Sequence, residues 1–458
     1  MKTLLHKIIK EDNFLSLSGN LIIALLGFGG FALLARSLDT HEFAQWVLFI
    51  SGGSLVEMLR YGITNNGLVR FLSGATKENK DRLIGANVLI SLFATLIIVV
   101  VLVLTKLFFS DTINGSSYAL FFNCYPVLAF VNLPLNNALV VQQAKMKYDK
   151  ILLIKALNSG LFFSFLVLNY FVLKRSILEI AIVFLVVNTL TSLVCVYKSW
   201  DGLKLIKKAT KTTLKTLLNF GKYSTFTLIG TNLLRNADIL IISVSPFGGT
   251  AVALFSIPLK LTEIQQIPLR SFTATAFPKM SKASLEGKTG QVKQLFNVYS
   301  GALTYLFFAV SIMTFVFAET FVILISGHQY LDASTTGIHI VTIVRILSVY
   351  GLLLPIDRMT GIGLDSINQP NINALKVSLM LGANIIGDLI AIYVFKSIEM
   401  VAISTLVFTT VGIVVGAYFL NKTFSVSLLD IFKSGYVFYK NLWLQSKRYT
   451  KGFQFLNR

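Results

Sequence analysis

The chain has 458 residues, 54 % of them hydrophobic and only 14 % charged, with a formal net charge of +20. A soluble domain carries about 25 % charged residues, so this composition excludes an ordinary water-soluble enzyme. The surplus of Lys and Arg does not point to nucleic acid either, because the basic residues flank apolar runs, where they meet anionic lipid headgroups.

The first segment, Met1 to Phe14, sets Lys2, Lys7 and Lys10 among Leu4, Leu5, Ile8 and Ile9, and reads as a short interfacial helix. The apolar stretch after it is too long for a secretory signal and ends at Arg36 without a small-residue cleavage site, so it is retained as a first span. A spanning helix needs about 20 apolar residues. Twelve candidate spans follow in order, at roughly 15–35, 43–69, 83–105, 117–141, 150–173, 177–198, 219–244, 250–277, 295–325, 334–356, 374–395 and 399–420.

The gaps between them sort by charge. The even gaps hold Arg70, Lys77, Lys80 and Arg82, then Lys145, Lys147 and Lys150, then Lys198, Lys204, Lys207, Lys208, Lys211 and Lys215 with Lys222 beyond, then Lys279, Lys282, Lys288 and Lys293. The odd gaps hold only Arg36, Lys106, Lys174, Arg175 and Lys396, alongside Asp39, Glu42, Asp111, Glu179, Asp332 and Glu399. Positive charge between spans collects on the cytoplasmic side, which predicts that both termini are cytoplasmic. The tenth gap, Asp357–Asn373, is the weak one, with Arg358 almost alone.

Odd-side loops are short and leave no extracytoplasmic domain to host catalysis. The longest polar segment, 199–218, alternates Leu203, Ile206, Leu214 and Leu217 with lysines, as expected of a basic helix on the membrane surface. It divides the chain into two sets of six spans, residues 1–210 and 211–420, followed by a basic cytoplasmic tail at 421–458. The fold class read from this pattern is an all-α polytopic membrane protein.

Cys124 and Cys195 both lie in apolar runs, which disfavours a disulfide or a thiolate metal site. The four histidines (His6, His41, His328, His339) show no metal spacing. Ionisable groups inside spans cost about 2.5–3.5 kcal/mol each at the helix centre on translocon scales, and so mark candidate function. Span 2 carries Glu57 and Arg60, span 7 Arg235 and Asp238, and span 8 Lys260 and Glu263. Each pair is spaced i,i+3 on one helix face. Intrahelical neutralisation is one reading of them, a polar cavity the other.

Arg270 stands near the inner end of span 8, Arg345 in span 10 and Asp388 in span 11. Arg345 has no acid three or four residues away. It either faces an acid on another helix, such as Asp388 or Asp238, or lines a water-filled cavity and binds an anion. Pro126, Pro134, Pro258, Pro268 and Pro355 each remove a backbone hydrogen bond and favour a kink. Gly19, Gly27, Gly29 and Gly30 suit close helix packing. There is no phosphate-binding loop, no Asp-x-Asp and no His-Glu-x-x-His.

The stretch Ala35-Arg36-Ser37-Leu38, followed by Glu42-Phe43-Ala44 and Trp46, resembles the span 1–2 turn of Wzx-type polysaccharide flippases, with Ala44 where the family has glycine. Leu59 to Arg70, with Gly62 and Asn66, resembles that family's span 2 end. So does Asn236-Ala237-Asp238-Ile239-Leu240-Ile241, followed by Phe247-Gly248-Gly249-Thr250-Ala251-Val252 and Phe255.

The resemblance implies the multidrug/oligosaccharidyl-lipid/polysaccharide (MOP) exporter superfamily, with two six-helix lobes around a central cavity and rocking-type alternating access. It further implies a monomer in a bacterial inner membrane that moves undecaprenyl-pyrophosphate-linked oligosaccharides, beside polymerase and glycosyltransferase machinery. No cofactor is implied beyond a proton or sodium gradient. A pyrophosphate would be drawn to Arg60, Arg235, Lys260, Arg270 and Arg345, while Glu57, Asp238, Glu263 and Asp388 are the ion-coupling candidates. The alternative is a cation-coupled drug exporter of the same superfamily, which would favour an acid-rich cavity. A membrane polymerase or ligase is disfavoured by the short outer loops.

Overall fold

The computed structural model describes residues 12–62, 64–72, 75–331 and 337–456. The N-terminal segment with Lys2, Lys7 and Lys10, the loop residue Asp332, and the side chains of Arg70, Lys222, Arg235, Lys447, Arg448 and Lys451 lie outside the described residues. Among the described residues, every regular element is helical.

Twelve long helices take up the twelve apolar segments. They are α1 (Asp12–Ser37), α2 (Thr40–Tyr61), α3 (Lys77–Phe108), α4 (Ala119–Ala144), α5 (Tyr148–Leu168), α6 (Ile177–Tyr197), α7 (Lys211–Ser243), α8 (Gly248–Leu285), α9 (Thr289–Val316), α10 (Ile340–Ser366), α11 (Pro370–Tyr393) and α12 (Ile398–Leu420). A thirteenth, α13 (Leu428–Leu456), follows in the tail. Among the described residues, eight are long and apolar enough to cross a membrane: α3 to α6 and α9 to α12.

Local chemistry sets the ends of these helices. Asp39 caps α2, its carboxylate accepting from the backbone N–H of Glu42 at 2.8 Å. Ser176 and Glu179 form a reciprocal capping box at the start of α6, with Glu179 Oε2 accepting from the Ser176 N–H at 3.0 Å. Pro370 opens α11 in the first turn, where its missing N–H costs nothing. After α5 the chain continues through one π turn, Asn169–Leu173, and reverses at Lys174, whose φ of +48° is left-handed.

The structure redraws three expected segments. The linker 199–218 is not one surface helix. A single 3₁₀ stretch, Leu203–Lys208, is followed by a break at Thr210, which caps the beginning of α7. Leu217 then enters the core against Leu83 and Ile84 instead of facing a headgroup layer. The ninth apolar run breaks at Phe317 into α9 and a short helix, Ala318–Ser326. Finally, α10 continues to Ser366, so the tenth gap shrinks to Ile367–Gln369. That gap is poor in lysine because most of it is helix interior.

The chain forms two compact units. One runs up to Ser256 and takes in Leu324–Gly327, and the other comprises Ile257–Ile323 and the chain from His328 onward. In the first, α1 packs on α5, and α4 packs on α2, α3 and α6. Lipid is as apolar as leucine, so close packing holds such helices together more than water exclusion does. Gly52 and Gly53 lie directly beneath the rings of Phe121 and Tyr125. Trp46 of α2 stacks on Phe162 of α5 with centroids 5.7 Å apart.

In the second unit, α10 packs on α9 and α12, and α11 on α12, around Leu269, Met280, Phe296, Phe307, Leu354, Met359, Leu364 and Leu420. The tail helix α13 lies along α9. Gly301 and Gly435 meet there so closely that a Cβ on either would run into the other's backbone.

Candidate functional site

The densest polar cluster of the first unit is built on the i,i+3 pair of α2. Arg60 is completely buried, and all three of its guanidinium nitrogens are engaged. It donates to Glu57 Oε1 at 2.7 Å, to Thr95 Oγ1 at 3.1 and 2.8 Å, to the Tyr61 hydroxyl at 3.2 Å and to the Ala129 carbonyl at 2.6 Å. Glu57 accepts in addition from the Tyr125 hydroxyl at 3.0 Å and, on its other oxygen, from Asn136 Nδ2 at 2.9 Å. Its side chain retains 25 % exposure.

Helices α2, α3 and α4 are thus tied around one ion pair, of which Glu57 is the member that keeps some exposure. A second layer lies nearby on α3 and α4, where Asn87 Nδ2 and Ser91 Oγ both donate to Asn137 Oδ1 at 3.0 Å. Asp238 is also buried in this unit.

Among the described residues, the candidate cations that stay accessible lie in the second unit. Lys260 pairs with Glu263 at 2.7 Å, the two side chains 24 % and 39 % exposed. Arg270 is exposed. Arg345 is exposed as well, with its guanidinium carbon 5.7 Å from the Phe315 ring centroid. Phe315 stands at the C-terminal end of α9 and Arg345 near the N-terminal end of α10. Asp388 is fully buried on α11, where Asn384 donates to it at 3.4 Å.

Gln265 of α8 and Ser311 of α9 both abut Gly351 of α10, whose missing side chain leaves the space they occupy. Counting back from that contact at 1.5 Å per residue, Lys260 lies about 7.5 Å and Arg345 about 9 Å towards the start of their helices.

One buried ion pair has no counterpart in the sequence reading. Lys376 of α11 lies 2.7 Å from Asp357 Oδ1 of α10, the two side chains only 3 % and 9 % exposed. The ammonium also donates to the Asp357 carbonyl at 2.6 Å and to Thr360 Oγ1 at 3.0 Å. Asp357 stands at the start of the tenth gap, read as a loop, whereas Lys376 lies within the eleventh apolar run, 374–395, and is not among the intramembrane candidates. The overlooked signal is Lys376 itself, an ionisable residue inside a candidate span and so a pointer of the same kind as Asp388. Tyr125, Thr95 and Asn136 were missed for a different reason. Neutral polar residues carry no periodicity that marks which face they share.

Both cysteines are free and buried. Among the described residues, no group of His, Cys, Asp and Glu could hold a metal ion.

Helices of this length, tied by charged groups buried between them, define a multi-pass membrane protein. The chain belongs to the polysaccharide biosynthesis protein family, whose model matches residues 9–284. No curated protein matches it. Among solved structures it is similar to an inward-facing multidrug resistance MATE family transporter of the MOP superfamily, at 18 % identity and a TM-score of 0.70, covering 88 % of this chain and 95 % of that one.

It is also similar to the lipid II flippase MurJ in an inward closed conformation, at 14 % identity and a TM-score of 0.69, covering 94 % of this chain and 92 % of that one. A MOP superfamily transporter from Pyrococcus furiosus, described by a reversed polarity of its binding pocket, matches at 17 % identity and a TM-score of 0.60, over 90 % and 95 % of the two chains. Likeness at this identity establishes the fold, an all-α MOP-superfamily fold, and leaves the substrate to be argued from chemistry.

Proposed function

We propose that the protein is a secondary transporter that flips undecaprenyl-pyrophosphate-linked oligosaccharide units from the inner to the outer leaflet of a bacterial cytoplasmic membrane. Its product would feed a surface polysaccharide such as O-antigen or capsule, with polymerase and glycosyltransferases as its neighbours in the pathway. The observation that carries this reading is membership of the polysaccharide biosynthesis family. The transporter and lipid II flippase folds among its structural neighbours support it.

In this reading Lys260, Arg270 and Arg345 meet the pyrophosphate, since they are the candidate cations with accessible heads. Arg235 joins them from its place in the sequence. Arg60 has all three guanidinium nitrogens engaged within the protein, so its task is to hold Glu57 in place. Glu57, Asp238, Glu263 and Asp388 are the groups through which a proton or sodium gradient would drive alternating access. The protein would work as a monomer with both termini cytoplasmic, without a cofactor and without catalysing a reaction.

The test is a strain whose own flippase is deleted. The intact chain should restore surface polysaccharide, and Arg345→Ala should reduce it while lipid-linked intermediate accumulates in the inner leaflet. Unchanged export and unchanged intermediate with Arg345→Ala would remove the anion-binding role. Resistance to cationic dyes without polysaccharide export would replace the flippase reading with that of a drug exporter.

A further inference from the structure

The tail helix α13 is not needed for any of the twelve spans, yet it is bound firmly. Lys293 of α9 pairs with Asp430 at 3.2 Å, and the Tyr439 hydroxyl donates to the Ala302 carbonyl at 3.0 Å. Ile431 is fully buried, and Gly435 meets Gly301 backbone to backbone. These contacts use one face of α13. The adjoining face, with Lys433, Ser434, Val437, Phe438 and Asn441, is separated from Gln294 and Val298 of α9 by a cleft of about 530 Å³.

The lining of the cleft is amphiphilic. Lys433, Gln294, Ser434 and Asn441 offer one cation and three neutral hydrogen-bonding side chains, while Val298, Val437 and Phe438 supply apolar surface. Among the described residues no carboxylate is bonded to Lys433, in contrast to Lys293 with its Asp430. An unneutralised ammonium beside hydroxyl and amide groups suits a phosphodiester with a hydroxylated head, and the valines and phenylalanine suit the first carbons of acyl chains.

The surroundings are those of a bilayer. Asp430, Lys433, Lys440, Lys447, Arg448 and Lys451 make α13 too polar to span. Phe432, Tyr436 and Trp443 nonetheless project from it exposed, as aromatic side chains do at a membrane interface. The cleft starts at Gln294, beside Lys288 and Lys293, at the lysine-bearing end of α9. That is the level at which an anionic leaflet presents its headgroups.

We infer that the α9–α13 cleft is a binding site for an anionic phospholipid, with its phosphate on Lys433, its head on Gln294, Ser434 and Asn441, and its chains along Val298, Val437 and Phe438. Zwitterionic lipid fits it less well, because its own cation would sit against Lys433. The inference needs only the membrane, and stands apart from the identity of the transported substrate.

The experiment is native mass spectrometry of the purified full-length chain in detergent, titrated with phosphatidylglycerol or with phosphatidylcholine of the same acyl chains. The expected result is one retained phosphatidylglycerol, bound in clear preference to phosphatidylcholine. Lys433→Ala should weaken that binding about fivefold, the equivalent of one lysine's attraction to an anionic surface. Lys433→Arg should keep it, and Lys440→Ala, outside the lining, should leave it unchanged.

Lys433 is exposed, so its loss removes no buried contact and the fold is retained. Equal binding by the intact chain and Lys433→Ala, or equal retention of the two lipids, would overturn the site. Displacement of the lipid by inorganic phosphate at the same concentration would make it a free-anion site and overturn the lipid assignment.

Discussion

Substituting Arg60 separates its two conceivable roles. If the guanidinium served as a mobile anion contact, charge alone would matter, and Arg60→Lys would behave nearly as the native chain. The structure gives the opposite expectation. Arg60 is 0 % exposed and makes five hydrogen bonds to four residues on three helices. Removing one partner of a buried pair costs about 3–5 kcal/mol, because the other charge is left uncompensated. An exposed pair would lose only about 0–1 kcal/mol.

Arg60→Ala leaves the Glu57 carboxylate without its counter-charge and takes a charged donor from the Thr95 hydroxyl and the Ala129 carbonyl, so the buried-pair range applies. Arg60→Lys keeps the charge but cannot span Glu57 and Ala129 at once with a compact ammonium. It forfeits at least one hydrogen bond to a charged group, worth about 1.5–3 kcal/mol. The double variant Arg60→Met with Glu57→Gln removes both charges and should recover more than half of the loss.

The assay is denaturant unfolding of the purified protein in micelles, followed through the fluorescence of Trp46, which is buried on α2 in the same unit. If Arg60→Lys fell within about 1 kcal/mol of the native chain, or if the double variant were simply additive, the network account would be wrong.

Lys376→Met should cost about 3–5 kcal/mol in the same assay, and adding Asp357→Asn should restore most of it; a double variant no better than the single one would contradict the pairing. Gly435→Ala places a Cβ against the Gly301 backbone, so limited proteolysis should release the tail several-fold faster, and unaltered cleavage would refute the close crossing. Asp201, in the loop after α6, is 2 % exposed and accepts from the Leu203 N–H at 3.3 Å, and burial pushes its carboxyl above the ordinary range.

The folded chain therefore keeps the Asp201 proton at a pH where the unfolded chain has lost it. This group's contribution is present at acid pH and falls away as pH rises through the raised value. The melting temperature of Asp201→Asn relative to the native chain should accordingly climb between pH 4 and pH 7, and a constant offset would rule out the titration.

The charge pattern made the helix count legible, because apolar runs near bilayer length leave few other structures open. Its failures are physical as well. The end of α10 was placed near Asp357 because charged residues usually mark a loop, whereas here Asp357 is neutralised by Lys376, nineteen residues further on. The linker at 199–218 has the spacing of a surface helix, and the break at Thr210 follows from a capping contact that only the three-dimensional backbone reveals.

The Glu57–Arg60 pair was visible as an i,i+3 spacing. That Arg60 faces inward and not towards a cavity depends on Thr95 and Ala129, thirty-five and sixty-nine residues away in sequence. Spacing along one helix carries no information about partners that arrive from others.

The junction of α10 and α11 has a mechanical consequence. The two helices are joined through Ile367–Gln369 alone and riveted by the Lys376–Asp357 pair near the fold-back. A hairpin pinned at such a short elbow moves as one lever, and neither arm can slide along the other without breaking a buried charge contact. Compliance in this unit then falls to α8, where Pro258, Pro268 and Pro278 each delete a rung of the helical ladder, and to α10 at Pro355, just ahead of the pinned elbow. Bending of the second unit would therefore fall on α8 and on α10 ahead of Pro355, and would carry the elbow from Asp357 to Lys376 intact.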